Sequence, residues 1–273
     1  MRQPALLCFA KAGQTHLTGE FKEVVAKGIN FLVNNMKADG GFHEPRGTMY
    51  SHGIASQALI TLYSSTEDKD LEKAAQGAIN YIVFAQDPVG GGWRYAPKQQ
   101  GDTSVSCWQL EALIIGQNAK LDVAKATLDG VTKFLDNVQS RGGSFYGYTT
   151  PGIGQATSAQ GLLCRIRLGW AADDERVKTG VAAWSKRGPS KSNSYYNLFA
   201  TQLIKEHGGK EWKSWRADLT QQLIAEQGDK DAIAGSWLST NGDHGVSRGG
   251  RLYCTTMAIL ALESSLEAKK NRK

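Results

Sequence analysis

The stretch from Ala74 to Leu113 reads AAQGAINYIVFAQDPVGGGWRYAPKQQGDTSVSCWQLEAL and contains one complete unit of a repeat. An amphipathic segment comes first, and a glycine-rich loop that ends in an aromatic residue follows it. A second apolar segment then begins after Asp102 and Thr103. Other parts of the chain are weaker copies of this unit, so we expect the fold to be a stack of equivalent units.

The repeat is marked by four glycines, each of which begins a similar phrase and is followed by an aromatic residue. They are Gly28, Gly77, Gly130 and Gly180, at intervals of 49, 53 and 50 residues. Glycine loops that end in an aromatic recur at 40–42, 90–93, 142–145 and 235–237, and the fourth repeat has lost its loop. An apolar segment follows the loop in each unit, and the fourth repeat also keeps this segment.

Both segments of each unit are predicted to be helices. In 71–85 the apolar residues recur at the i, i+3, i+4, i+7 spacing of a helix with one buried face. The second segments are apolar nearly all round, which is typical of a helix buried on both sides. We therefore predict an all-α fold, an α/α toroid with two concentric layers built from about five to six helix hairpins. An open solenoid is the alternative, and the apolar inner helices favour closure.

The count of helices indicates how the chain is organised. Outer helices are predicted near 19–36, 69–86, 121–139, 174–186 and 211–227, and inner helices near 51–64, 103–117, 155–169, 193–207 and 252–266. The opening segment PALLCFAKAG fits a sixth inner helix whose outer partner would precede residue 1. The chain is thus predicted to start in mid-repeat, as a single toroid domain over 1–266 with a basic tail at 267–273, and a missing N-terminal part of the same protein is expected.

Composition excludes several classes of protein. Of the net charge of +6, four positive charges lie at the C-terminal end, so the body is nearly neutral and a nucleic-acid partner is not expected. No apolar run reaches the roughly 20 residues of a membrane-spanning helix. The four cysteines lie in apolar segments without metal-ligand spacing, so we predict reduced core residues, no metal and no cofactor. Reduced cysteines and the absence of a clear signal peptide favour a cytoplasmic location.

The repeat resembles that of the squalene and oxidosqualene cyclases, in which a glycine, an aromatic, aliphatics and Gln precede G-x-W. The matching residues here are Gly77, Tyr81, Ile82, Val83, Gln86, Gly91 and Trp93. The chain also resembles a bacterial group of prenyltransferase/squalene oxidase repeat proteins, which show the phrases MYSHGIA, GGGWRY, GDTSV-x-x-WQ, GLLCR and GRLY-x-T. This resemblance covers nearly the whole chain and implies the toroid fold, which protein prenyltransferase β subunits share.

The resemblance implies little catalytic chemistry, because the family's site residues are altered. The cyclase acid belongs to a D-x-D-D-T motif, and here Gly101 stands at the position of the proton donor while Asp102 and Thr103 remain. In prenyltransferases an Asp, a Cys and a His hold zinc, and here Ser104 and Cys254 replace two of the three ligands. Neither the standard cyclase acid nor the prenyltransferase zinc site is therefore expected.

Candidate site residues lie at or near the starts of inner helices, which converge at one end of a closed ring. Asp102 and His52 are the candidate catalytic residues, and each has an alternative role as a helix cap. The candidate ligand-binding residues are Tyr50, His52, Asp102, Trp108, Tyr148, Arg251 and Tyr253. We predict that the helix N-termini and Arg251, oriented by Asp102, bind a negative group there. The loop tryptophans Trp93 and Trp237 are instead predicted to fasten each loop to its outer helix.

Three functions remain open at this point. The first is binding of an apolar or isoprenoid-type small molecule in the central cavity, with or without catalysis. The second is a non-catalytic binding or scaffold domain of a larger protein. The third is carbohydrate-active, because some polysaccharide lyases are α/α toroids. A deep apolar pocket would favour lipid, a filled core a scaffold, and a shallow polar groove a sugar.

Overall fold

The computed structural model describes residues 3–42, 48–239, 243 and 245–266. The predicted basic tail at 267–273 lies outside the described residues, as does His244. Six helices form the inner layer: α1 (Gln3–Lys11), α3 (Met49–Thr66), α5 (Thr103–Asn118), α7 (Gln155–Arg167), α9 (Ser194–His207) and α11 (Val246–Ser265). Five form the outer layer: α2 (Lys22–Asn35), α4 (Lys69–Ala85), α6 (Lys125–Val138), α8 (Glu175–Arg187) and α10 (Gly209–Glu226).

The predicted all-α toroid is confirmed. Each inner helix packs on the next, and α11 packs on α1, so the inner layer is a closed ring rather than an open solenoid. The Cys8 thiol, for example, donates to the carbonyl oxygen of Thr256 at 3.6 Å across this closure. Within the described ranges the sheet is limited to two strands of two residues, β1 (Gln139–Ser140) and β2 (Phe145–Tyr146).

The two layers differ in burial as the sequence pattern predicted. Helix α5 buries residues on every side, including Thr103, Ser106 and Leu113. Helix α4 buries one stripe, which includes Leu71, Ala78 and Ile82, and exposes Asn80 to solvent. None of the described helices is both long and apolar enough to cross a membrane.

The repeat glycines permit close packing, in two different ways. A Cβ on Gly28 or Gly180 would collide with a leucine of the neighbouring inner helix. Gly77 and Gly130 instead contact the loop of the preceding repeat: a Cβ on loop residue Gly91 would lie 2.0 Å from the Gly130 carbonyl oxygen. The glycine loop therefore occupies the space beside Gly77 and Gly130 that a leucine occupies beside Gly28 and Gly180.

Gln86 and Trp93, two further residues of the repeat, hold the loop in place. The Gln86 amide donates to the carbonyl oxygen of Gly91 at 2.8 Å and to that of Thr127, on the next outer helix, at 2.8 Å. The Trp93 indole is fully buried and donates to the Ile82 carbonyl oxygen at 2.8 Å. Trp237 makes the equivalent bond to Leu223 at 2.8 Å, so the loop tryptophans do fasten loops to outer helices.

The four cysteines, Cys8, Cys107, Cys164 and Cys254, are free and buried in inner helices. Burial raises the pKa of the Cys8 thiol to about 12, with a smaller contribution from the charge of Glu263. The thiols therefore behave as small apolar groups of the core.

Candidate functional site

Polar and aromatic side chains meet where the inner helices begin, at one end of the ring. They are contributed by α3, α5, α7, α9 and two of the glycine loops. We call this set the tyrosine site, and its members are Tyr50, Arg94, Tyr95, Asp102, Ser104, Trp108, Tyr148, Gln160 and Tyr195.

Asp102 is the fully buried charged group of the site. It is the N-cap of α5, and its Oδ1 accepts the Val105 N–H at 2.8 Å. Its Oδ2 accepts the Tyr148 hydroxyl at 2.9 Å and lies 3.7 Å from the Arg94 Nε. Burial raises the pKa of Asp102 above its ordinary value, although these hydrogen bonds and Arg94 act in the opposite direction. Asp102 is thus the helix cap that the sequence indicated, with an additional partner in Tyr148.

Tyr148 and Tyr95 extend this arrangement towards solvent. Because the Tyr148 hydroxyl donates to Asp102, it accepts from the Tyr95 hydroxyl, at 2.7 Å. The Arg94 guanidinium lies 5.2 Å from the centre of the Tyr95 ring and 5.5 Å from that of Tyr148, within the range of cation–π attraction. Tyr95 remains 42% exposed, so this edge of the site is open to solvent.

Tyr195 connects the helices on the other side of the site. Its hydroxyl accepts from the Trp108 Nε1 at 2.8 Å and from the Gln160 Nε2 at 3.0 Å. The Ser104 hydroxyl donates to the Gln160 Oε1 at 3.2 Å. Tyr50, on α3, lies beside this network with its ring centroid 6.2 Å from that of Tyr95, and burial and the charge of Asp102 raise the pKa of its hydroxyl. Three inner helices, α5, α7 and α9, therefore share one polar network.

Aromatic rings occupy the middle of the ring below this network. Trp108 on α5 contacts Phe199 on α9 edge to face, with centroids 5.3 Å apart. Tyr195 packs on the same Phe199 at 4.9 Å. Helix α7 lies between α5 and α9 in the ring, so these contacts span the interior. Trp108 is 3% and Phe199 1% exposed, and the site therefore has an aromatic floor.

The backbone N–H groups at these helix starts already have partners. The Met49 N–H donates to the Tyr95 carbonyl oxygen at 3.1 Å, and the Thr103 N–H to the Tyr148 carbonyl oxygen at 2.9 Å. Each glycine loop thus caps the inner helix of the preceding repeat. The predicted use of free helix N-termini to bind an anion does not fit α3 and α5, because these groups are satisfied within the protein.

His52 and Arg251 have partners outside the tyrosine site. His52 is fully buried: its Nδ1 accepts the Phe42 N–H at 3.2 Å, and its Nε2 lies 3.2 Å from the Ala78 carbonyl oxygen of outer helix α4. Arg251 donates to the Ser236 hydroxyl at 3.2 Å, in the loop before α11. The predicted pairing of Arg251 with Asp102 is corrected, since Asp102 has Arg94 as its cationic neighbour.

Tyr253 lies on α11, beside the tyrosine site rather than within its network. The Ser194 and Asp243 side chains are its hydrogen-bonding neighbours, and burial followed by the charge of Asp243 raises the pKa of Tyr253. Asp243 itself accepts from the Ser194 backbone N–H at 2.7 Å and hydroxyl at 2.6 Å. Because Ser194 precedes Tyr195, this group forms one border of the site.

The structure thus brings Tyr50, Asp102, Trp108 and Tyr148 together and separates His52 and Arg251 from them. The sequence analysis did not select the other members of the site, which are Arg94, Tyr95, Ser104, Gln160 and Tyr195. Arg94 could have been found, because it directly follows Trp93 in the best-preserved loop. Nothing in the sequence distinguishes Gln160, on α7, from the other polar residues of the inner helices.

Replacing Asp102 by asparagine should change the pH dependence of stability. The raised pKa means that the folded state binds the Asp102 proton more tightly than the unfolded state. The contribution of Asp102 to the free energy of unfolding therefore falls as pH rises from about 4, the ordinary carboxyl value, through the folded-state pKa. We expect the stability of Asp102→Asn relative to the unmodified protein to improve over this range, as measured by urea unfolding at pH 4 to 7. A relative stability that declines with rising pH would contradict this assignment.

Comparison with known proteins supports the fold. No family model matches the chain, and no curated protein matches it. Among solved structures, a glycoside hydrolase family 76 mannosidase from Bacteroides thetaiotaomicron has a TM-score of 0.63 at 10% identity, covering 96% of this chain and 84% of that one. An inactive variant of an α-1,6-mannanase from Salegentibacter sp., in complex with α-1,6-mannotriose, has a TM-score of 0.64 at 9% identity, with 96% and 88% covered.

A third similar structure comes from a different class of enzyme. It is a type II terpene cyclase from Scytonema in complex with geranylgeranyl dihydroxybenzoate, with a TM-score of 0.65 at 13% identity, covering 96% of this chain and 86% of that one. Identities this low show a common fold and no common chemistry. The protein is therefore an α/α toroid, of the architecture that these glycoside hydrolases and terpene cyclases share.

Proposed function

We propose that the tyrosine site binds a neutral, hydroxyl-rich ligand of the saccharide class. The observation that carries this proposal is the combination of half-buried tyrosine rings with a shared network of hydroxyl and amide groups, above the aromatic floor formed by Trp108 and Phe199. A sugar presents hydroxyls that both donate and accept, together with flat C–H faces that pack on aromatic rings. Tyrosines supply both kinds of contact.

The electrostatics of the site favour a neutral ligand over an anion. Asp102 and Arg94 lie 3.7 Å apart and balance each other's charge. The first N–H groups of α3 and α5 are capped by loop carbonyl oxygens. A phosphate or carboxylate headgroup would therefore find the first N–H group of each of these two helices already occupied, whereas a hydroxyl can exchange hydrogen bonds with tyrosine hydroxyls.

An isoprenoid ligand is the second candidate, and it is the function that the family resemblance indicated first. The aromatic rings favour it, since a type II terpene cyclase of the same fold was solved with a geranylgeranyl compound. An apolar chain would have to enter the ring where Trp108, Tyr195 and Phe199 are packed together. The need to displace three packed rings makes this candidate the less favoured of the two.

The carboxylates in and beside the tyrosine site favour binding of a saccharide without its hydrolysis. Glycosidases generally use two carboxyl groups on either side of the scissile bond. Asp102 is the carboxylate of the tyrosine site, and it is engaged by Val105 and Tyr148. Asp243 is held by Ser194 at the border.

We also propose, on the loop contacts of Gln86 and Trp93, that the chain is a member of the prenyltransferase/squalene oxidase repeat group.

Calorimetric titration with two sets of probes tests the proposed function. α-1,6-Mannotriose and maltotriose represent saccharides, and geranylgeraniol in dilute detergent represents isoprenoids. We expect at least one saccharide to bind, and Tyr195→Phe to weaken that binding by about tenfold, the effect of losing one hydrogen bond of about 1.4 kcal/mol. The matched control is Tyr196→Phe: this neighbouring tyrosine is fully buried, and its hydroxyl points to carbonyl oxygens of Trp184 and Gly188.

Each outcome of this titration decides between the candidates. Binding of geranylgeraniol without either saccharide would replace the proposal with the isoprenoid candidate. Binding of neither class would favour the scaffold function. Equal effects of Tyr195→Phe and Tyr196→Phe would show that the ligand binds elsewhere.

A further inference from the structure

A cavity lies at the end of the inner ring opposite the tyrosine site, where the inner helices end. Its volume is about 250 Å³. Charged residues of five inner helices line it: Lys11, Glu111, Arg167, Lys205, Glu206 and Glu263. We call this cavity the charged pit. It has three cationic and three anionic side chains, and it is separate from the tyrosine site.

Arg167 lines the charged pit, and two glutamates already neutralise its positive charge. Its Nε donates to Glu111 at 3.0 Å and its Nη1 to Glu206 at 2.8 Å, which joins helices α5, α7 and α9. Glu111 and Arg167 are largely buried there. Lys205 is also occupied, because its ammonium donates to the Leu266 carbonyl oxygen at 2.8 Å. These four side chains therefore form one wall of the cavity, in which two positive and two negative charges balance.

Lys11 and Glu263 are the two remaining charges, and neither forms an ion pair with any described residue within 4.0 Å. Lys11 is the last residue of α1, and it is exposed at the rim of the pit. Loss of solvation lowers the pKa of its ammonium, while the charge of Glu111 acts in the opposite direction. Glu263, on α11, lines the same cavity, and its charge raises the pKa of Cys8, one turn before Lys11 on α1. An unpaired cation and an unpaired anion thus border one cavity.

We propose that the charged pit binds a small zwitterion, whose carboxylate pairs with Lys11 and whose ammonium pairs with Glu263. A free amino acid is the class of ligand that carries both groups on a short chain. The cavity is smaller than the range of about 300–1,000 Å³ that is usual for small-molecule sites, which suits a metabolite of a few heavy atoms rather than a saccharide or a lipid. Charge-assisted hydrogen bonds at both ends give such a ligand specificity over a simple acid or a simple amine.

The test is calorimetric titration of the full chain with glycine, β-alanine and γ-aminobutyrate, which differ in the separation of their charges. Propionate and propylamine, each with one of the two charges, are the matched ligands. We expect one zwitterion to bind more tightly than both single-charge ligands by about tenfold or more, equivalent to about 1.4 kcal/mol. Lys11→Met and Glu263→Gln should each abolish that preference, while Lys210→Met should keep it, because Lys210 is 92% exposed and outside the pit.

The variants also separate this inference from the proposed function. Tyr195→Phe, which alters the tyrosine site, should leave zwitterion binding unchanged. Unfolding temperatures of Lys11→Met and Glu263→Gln close to that of the unmodified protein would show that the fold is intact. The inference is overturned if no zwitterion binds the unmodified protein, or if both pit variants keep the full affinity.

Discussion

Trp93→Ala is expected to lower the free energy of unfolding by about 3–5 kcal/mol, the range for removing a large buried aromatic side chain. Trp93 is fully buried between its loop, α4 and α5. Its indole N–H donates a hydrogen bond to the Ile82 carbonyl oxygen near the end of α4. Its backbone N–H donates to the Ser106 hydroxyl at 2.9 Å. The substitution therefore leaves both a cavity and an unsatisfied buried carbonyl, and chemical denaturation measures the loss.

Two further variants make this prediction specific to the repeat. Trp237→Ala removes the equivalent bond to Leu223, so we expect a loss of similar size. Val89→Ala, in the same loop as Trp93, changes a side chain that is 75% exposed, and we expect a change below about 0.5 kcal/mol. A small effect of Trp93→Ala, comparable to that of Val89→Ala, would show that the loop tryptophan is not a packing residue.

Gly91→Ala is expected to destabilise the protein by about 3 kcal/mol or more. Gly91 has a φ of +80°, and this backbone region costs a residue with a Cβ about 1–2 kcal/mol. The new Cβ would also lie 2.0 Å from the Gly130 carbonyl oxygen of the next outer helix, and relieving such overpacking costs about 1–3 kcal/mol more. Because the obstacle is a helix backbone, the neighbouring repeat must shift to make room.

Gly142→Ala is the matched control for this contact. Gly142 also has a positive φ, of +68°, but a Cβ there meets no atom within 4 Å. We expect Gly142→Ala to cost only the backbone term of about 1–2 kcal/mol. Equal losses of stability for the two variants, measured by the same denaturation, would mean that the Gly130 carbonyl oxygen adds no steric cost to the Cβ at position 91.

The tyrosine site could be predicted only in part from the sequence. The sequence placed the starts of α3 and α5 correctly. It therefore identified Tyr50, Asp102, Trp108 and Tyr148 as site residues. His52 was misplaced because its position in α3 gives no indication of which face the ring takes. In the structure the ring lies between the loop before α3 and helix α4. The Phe42 N–H of that loop and the Ala78 carbonyl oxygen of α4 are each within hydrogen-bonding distance of one ring nitrogen.

The charged pit could not be found from the sequence. Lys11, Glu111, Arg167 and Glu263 are separated from one another by 56 to 252 residues in the sequence. Each lies within or at the end of an apolar inner helix, where a solvent-exposed charge is ordinary. Their proximity results from closure of the ring, which brings the ends of α1 and α11 together. The packing of successive repeats gives Arg94 its role, since Asp102 and Tyr148 come from neighbouring repeats.

The sequence by itself determined the architecture of this protein: the number of helices, their two layers and the positions of the loops. It could do so because periodicity and glycine placement are local properties, and each repeat carries the same ones. The tertiary structure decided which polar side chains share a site. Helix N-termini that looked free are capped by the loop of the next repeat, and the ring that could have enclosed a channel has an aromatic floor. Both follow from contacts between repeats, which depend on the packing of distant side chains and have no local signal.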